Sequence, residues 1–125
     1  MTNKQRALDY LKAAFVDKDL AKVETFLGDH WTQHNPNVPD GLEALRGIIA
    51  GNEINWQPSI VMEEGDIVAV HGRYTNLFGK TMIGVDFFRF DENGKMNEHW
   101  DVLQEEVPAS KTASGNAMFP IIPQK

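Results

Sequence analysis

The strongest constraint on the fold lies in the second half of the chain. Residues 67–78 (IVAVHGRYTNLF), 81–90 (TMIGVDFFRF) and 95–106 (KMNEHWDVLQEE) are three runs rich in β-branched and aromatic residues, the types that suit a strand. Gly65-Asp66 precedes the first run, Gly79-Lys80 separates it from the second, and Asn93-Gly94, a strong hairpin signal, separates the second from the third. Connections this short force each strand to return beside the last, which predicts an antiparallel meander. A looser run at 56–64 adds a strand ahead of it.

The first half has a different period. Leu8, Leu11 and Phe15 recur at helical spacing, with Ala7, Tyr10 and Ala14 beside them, predicting a helix over about 4–17. A second, short helix carries Leu20, Val23, Phe26 and Leu27, with Gly28 placed to end it. Residues 31–36 (WTQHNP) read as a short extended piece. Asp40 is the expected N-cap of a third helix carrying Leu42, Leu45, Ile48 and Ile49. Helices followed by antiparallel strands give an α+β fold, three helices packed on a curved sheet. The whole chain, 1–125, reads as one domain, with 107–125 an irregular tail.

Composition removes several function classes. A net charge of −6 offers no basic patch for nucleic acid or an anionic membrane surface. The absence of cysteine excludes disulfides, thiolate metal sites and a thiol nucleophile, and is compatible with a reducing cytoplasm. No secretory pattern opens the sequence, so a cytoplasmic location is expected. No glycine-rich phosphate loop occurs, so no nucleotide cofactor is expected.

The remaining chemistry is carried by carboxylates and histidines. Asp86 interrupts a mostly apolar strand, where a lone ionised carboxylate costs on the order of several kcal/mol, so it must be paired or protonated. Pairing with Arg73 or Arg89 at a sheet rim is the alternative to a site role. His99, Asp101 and Leu103 share one face of the last strand, and Glu98, Trp100 and Val102 the other. A two-residue turn at Asn93-Gly94 would set Asp86 opposite Asp101 and Phe88 opposite His99, all on one face, whereas a three-residue loop with a bulge would shift the pairing by one. Strand parity puts His71 with Ala69 and Arg73, away from Val68, Val70 and Tyr74. His34, His71, His99 and Asp101 include metal-ligand types, but on separate segments and without metal-site spacing, so no metal is expected.

The string GVDFFRFDENGKMNEHWDV, with WTQHNPNVPDG upstream and SGNAMF downstream, resembles SnoaL-like proteins of the NTF2-like superfamily, which also contains ketosteroid isomerases. The resemblance implies a cone-shaped sheet closed by three helices, a small-molecule pocket inside it, no cofactor, and a homodimer through the outer sheet face, where Trp100 lies. It implies acid/base chemistry next to a carbonyl: aldol cyclisation of a polyketide, isomerisation or dehydration. Asp101 matches the SnoaL-like acid/base position approximately. Asp86 matches the isomerase oxyanion donor, and His99 and Leu103 match pocket positions. The isomerase base position holds Asn35, which cannot act as a base, and the helix-1 tyrosine is replaced by Leu11 with Tyr10 on a neighbouring face. These departures argue against a steroid isomerase. The catalytic candidates are thus Asp101, Asp86, His99 and His34, the last as base or donor. Gln33, Asn35, Phe15, Trp31, Phe88, Leu103, His71, Met118 and Phe119 are candidate substrate contacts, the last two as a lid over the cone mouth or a cover for a partner subunit. A binding module without turnover is the alternative function.

Overall fold

The computed structural model describes residues 1–124. Its elements are α1 (Asn3–Phe15), α2 (Leu20–Glu24), β1 (Leu27–Gln33), α3 (Leu42–Ile49), β2 (Asn55–Glu64), β3 (Ile67–Leu77), β4 (Lys80–Phe90) and β5 (Met96–Glu105), followed by a short 3₁₀ turn (Ala109–Lys111). Thr2 caps α1 by accepting from the Gln5 N–H (3.1 Å), and Asp19 caps α2 by accepting from the Lys22 N–H (3.1 Å). The buried stripe of α1 is Ala7, Tyr10, Leu11, Ala13 and Ala14, and it packs over β2 and β3. Among the described residues no helix is long and apolar enough to cross a membrane.

The five strands form one sheet in the order β1-β5-β4-β3-β2. The predicted meander β2–β5 is present, but β1 joins it in parallel beside β5, so the sheet is mixed. The same edge explains why Gly28 does not end the second helix. Thr25 closes α2 through its hydroxyl to the Lys22 carbonyl (2.6 Å), and Phe26 is then captured by β5, whose Met96 N–H donates to the Phe26 carbonyl (2.8 Å). Gly28 therefore lies inside β1. Asp40 does not cap α3 either. Its carboxylate accepts from the Gln33 N–H at the end of β1 (2.7 Å), and Gly41, at φ +98°, takes the cap position.

The β4–β5 register follows the predicted pairing by a different route. The connection is a three-residue loop, Glu92 to Gly94, closed by Asp91 N–H to Lys95 O (2.8 Å), with Gly94 left-handed at φ +74°. That loop alone would put Phe90 opposite Met96 and shift every later pair. An irregularity beside Arg89 leaves Asn97 unpaired and restores the register, so Asp86 faces Asp101 and Phe88 faces His99.

Gly72 and Gly84 face each other across β3 and β4. A Cβ on Gly72 would stand 2.6 Å from Trp56 Nε1, and one on Gly84 would overlap Leu103 Cδ2. Both positions need glycine for close approach, which lets side chains of the flanking strands lean over the sheet. The core, including Leu11, Val23, Ile49, Val68, Val70, Phe88 and Met96, fills the space between the helices and the inner sheet face.

Candidate active site

Between the helices and the inner face of β3–β5 lies a cavity of about 280 Å³. Its walls are mostly apolar, with Leu11, Phe15, Trp31, Phe88 and Leu103 among them, and its polar groups are concentrated at Gln33, Asn35, Tyr74, Asp86, His99 and Asp101. Among the described residues, no lysine or arginine lines it.

Period-two alternation brings the polar groups together. Asp86, from β4, is buried at 4% exposure. The Tyr74 hydroxyl, from β3, donates to its Oδ2, and its Oδ1 lies 2.8 Å from His99 Nε2. The Tyr74 phenol is pushed well above its usual range, first by burial and then by the charge of Asp86. It therefore stays protonated and donates. The His99 ring stacks on Trp31 (centroids 5.8 Å apart) and lies tilted against Phe88 (5.2 Å).

Asp101 is held differently. Asn35 Nδ2 donates to both of its oxygens at 2.9 Å, while the Asn35 carbonyl accepts from the Asn37 N–H (2.8 Å) and so fixes which end of the amide faces Asp101. His99 Nε2 is 3.9 Å from Asp101 Oδ2, too far for a hydrogen bond. Burial raises the Asp101 pKa, the Asn35 hydrogen bond and His99 lower it, and the Asp86 charge raises it further; the net shift is upward. Asp101 is a carboxylate with free lone pairs and raised basicity. Asp86 and His99 are a donor–acceptor pair a few ångströms away.

Nine sequence candidates meet at this cavity: Asp86, His99, Asp101, Gln33, Asn35, Phe15, Trp31, Phe88 and Leu103. Four do not. The alternation that turns Gln33 and Asn35 inward turns His34 outward, where its Nε2 pairs with Glu98 (2.7 Å) and its ring stacks on Trp100 (4.7 Å). His71 also faces outward, as its parity with Arg73 required, and bonds Ser59 Oγ through Nδ1 (2.6 Å). Met118 and Phe119 do not cover the mouth. The tail runs over the outer face, where Phe119 stacks on His71 (6.0 Å) beneath the Arg73 guanidinium (4.4 Å), a flat cationic shelf for an aromatic ring. Arg73 and Arg89 pair with Glu106 and with Glu98 and Asp66, not with Asp86.

Two tyrosines were missed as site residues. Tyr10 and Tyr74 both line the cavity and are 2% and 5% exposed. Tyr74 shares its strand parity with Val68 and Val70, and Tyr10 lies on the apolar stripe of α1, so both looked like core. Burial first, and then Asp86, push the Tyr10 phenol upward. Its hydroxyl makes no hydrogen bond to another described residue.

Ligand atoms of Asp86, His99 and Asp101 lie within 4.8 Å of one another, and these are metal-ligand types. The 2.8 Å contact between Asp86 and His99 has hydrogen-bond geometry, so the two facing atoms are satisfied by each other.

A search among curated proteins finds no match. Solved structures agree on the fold. An NTF2-like protein of unknown function from Cytophaga hutchinsonii superposes with a TM-score of 0.73 at 16% identity, over 83% of this chain and 91% of that one. A putative polyketide cyclase from Acidithiobacillus ferrooxidans gives 0.69 at 15%, over 82% and 87%. An LEH-like epoxide hydrolase from M. tuberculosis gives 0.67 at 14%, over 82% of each chain. At these identities the likeness speaks for the fold alone. The family model described as a SnoaL-like domain matches residues 7–99, from α1 through the buried His99, and on that match this chain belongs to the SnoaL-like domain family.

Proposed function

We propose that the chain is a cofactor-independent acid/base enzyme that removes a proton next to the carbonyl of a small, uncharged, mostly apolar compound. The observation that carries this reading is the pairing of unlike groups in one cavity. Asp101, raised by burial, is the base. The protons held by the Asp86–His99 pair and by the Tyr10 hydroxyl are donors for the enolate oxygen. The enolate then adds to a second carbonyl, is reprotonated elsewhere, or expels water. The cavity volume supports a compact substrate, and the absence of cations among the described lining residues disfavours an anionic one.

The test is α-proton exchange. Compact neutral ketones and 1,3-diketones are incubated with the protein in D₂O, and deuterium at the carbon beside the carbonyl is followed by NMR. Exchange that disappears in Asp101→Asn and is untouched by chelators is expected. Binding of these compounds without exchange would leave a ligand-binding module in place of the enzyme.

A second reading is favoured by the Asn35–Asp101 pair. Each Asp101 oxygen keeps a lone pair beyond the one that Asn35 uses, so the carboxylate can hold a water in the cavity, and one solved structure of similar fold is that of an LEH-like epoxide hydrolase. Asp101 would then take a proton from that water as its oxygen attacks an epoxide carbon, and the Asp86–His99 pair would give a proton to the epoxide oxygen as its C–O bond breaks. Incorporation of ¹⁸O from labelled water into a diol product, without carbon deuteration, would select this reading.

The outer sheet face carries Phe87 and Trp100 half-buried and Val102 at 68% exposure. It is the proposed seat of a second copy of the chain. Sedimentation of Trp100→Glu as a monomer, against a wild-type dimer, is the expected outcome.

A further inference from the structure

Gln33 is the last residue of β1 and stands opposite His99 in the parallel pairing with β5. Its main chain is tied on one side, where its N–H donates to Asp40 (2.7 Å), and the next N–H, of His34, donates to the His99 carbonyl (3.0 Å). Its side-chain Oε1 meets three groups: the N–H of His34 (3.1 Å), the N–H of Asn35 (3.0 Å) and His99 Nδ1 (2.7 Å). Two backbone donors on one atom identify it as the amide oxygen, because the amide nitrogen could only repel them. An oxygen of this kind accepts and never donates. The ring nitrogen facing it must therefore carry a proton.

We infer that Gln33 is a positioning residue that locks His99 in its Nδ1-protonated form, leaving Nε2 as the one ring nitrogen able to exchange a proton with Asp86. Without the lock, a neutral imidazole could carry its proton on Nε2. That Nε2–H would donate permanently to Asp86, and the ring would have no lone pair facing the cavity. With the lock, one proton is shared along a single line, from Asp86 Oδ1 to His99 Nε2, while the Tyr74 hydroxyl closes the other carboxylate oxygen. The catalytic consequence rests on the acid/base reading above, but the tautomer itself does not.

The experiment uses the full chain with ¹⁵N-labelled histidine. As pH is raised until the His99 ring is neutral, the wild type should keep the protonated-type signal at Nδ1 and lose it at Nε2. Gln33→Met, similar in length but without an acceptor, should mix the two tautomers. Gln33→Glu, which keeps the acceptor, should restore Nδ1 protonation. In the deuterium-exchange assay, Gln33→Met should lower kcat roughly 10²-fold with KM changed much less. An Nε2-protonated neutral ring in the wild type would overturn the inference, as would a ring signature unmoved in a folded Gln33→Met. Should Gln33→Met fail to fold, the wild-type spectrum and Gln33→Glu still decide the matter. A wild type with the expected tautomer but no exchange on any ketone would defeat the proposed reaction and leave the lock standing.

Discussion

The two faces of β5 treat the same chemical group in opposite ways. On the inner face, Asp101 has 11% of its side chain exposed, no cation in hydrogen-bond contact and one amide donor, and burial moves its pKa up. Three residues earlier, on the outer face, Glu98 accepts from His34 and from Arg89, and those hydrogen bonds move its pKa down. The sequence supplies acid at both places. What differs is which groups the fold sets against each one. A carboxylate stabilised by two partners is a structural group. A carboxylate that lacks a cation partner is destabilised relative to its protonated form, and it takes protons more readily. On the reading proposed above, this contrast is what suits the inner residue to chemistry.

The sharpest way to break this contrast is to neutralise each acid in turn. Asp101→Asn should cut turnover by roughly 10²–10⁴-fold, measured by deuterium exchange, while stabilising the fold by about 1 kcal/mol in denaturant titration. A variant that lost stability would mean that Asp101 is a structural group like Glu98. Packing offers the next contrast. Phe88→Ala, at a fully buried inner position, should cost about 3–5 kcal/mol in the same titration. Val102→Ala, on the outer face, should stay within about 0.5 kcal/mol in the isolated chain. Tyr74→Phe removes a donor from buried Asp86 and should cost about 1–3 kcal/mol. Glu98→Gln should cost under about 1 kcal/mol, because its partners His34 and Arg89 are partly solvated, with turnover unchanged.

The pH dependence separates the faces by sign. Asp101 holds its proton more tightly folded than unfolded, so its contribution to stability falls as pH rises from the ordinary carboxylate range through its raised folded value. On the proposed reaction, turnover should rise over the same interval, because the base must be ionised. Glu98 holds its proton less tightly when folded. Its contribution is complete above the unfolded carboxylate value and is lost as pH falls through the lowered folded one. Stability curves of Asp101→Asn and Glu98→Gln should each flatten only their own limb.

Much of this arrangement was legible beforehand, because it depends on parity. Alternation along β5 put His99 and Asp101 on one face, and Val68 and Val70 turned His71 away from it. Features set by contacts distant in sequence were hidden. Asn35 and Asp101 are brought together by the parallel β1–β5 edge, which no local pattern announced. Asp40 looked like a cap because its type and place fit one, but the end of β1 claimed its carboxylate first. Tyr10 and Tyr74 carried ordinary core signals, since a buried tyrosine shows its polar tip only once its neighbours are known. The tail looked like a lid because nothing in it named the His71–Arg73 shelf it rests on.

The extra residue at Asn97 has a consequence for how such a chain can vary. Because β5 presents alternate side chains to the cavity, the hairpin between Asp91 and Lys95 acts as its reading frame. Losing the compensation at Asn97 would turn Glu98, Trp100 and Val102 toward the cavity and send His99 and Asp101 out to solvent, with no residue of the pocket itself replaced. Length changes in this surface turn are therefore tolerable in twos, or singly with a second irregularity to cancel them. A homologue that differs here by one residue and has no such correction carries a different set of reactive groups, however closely its strands resemble these.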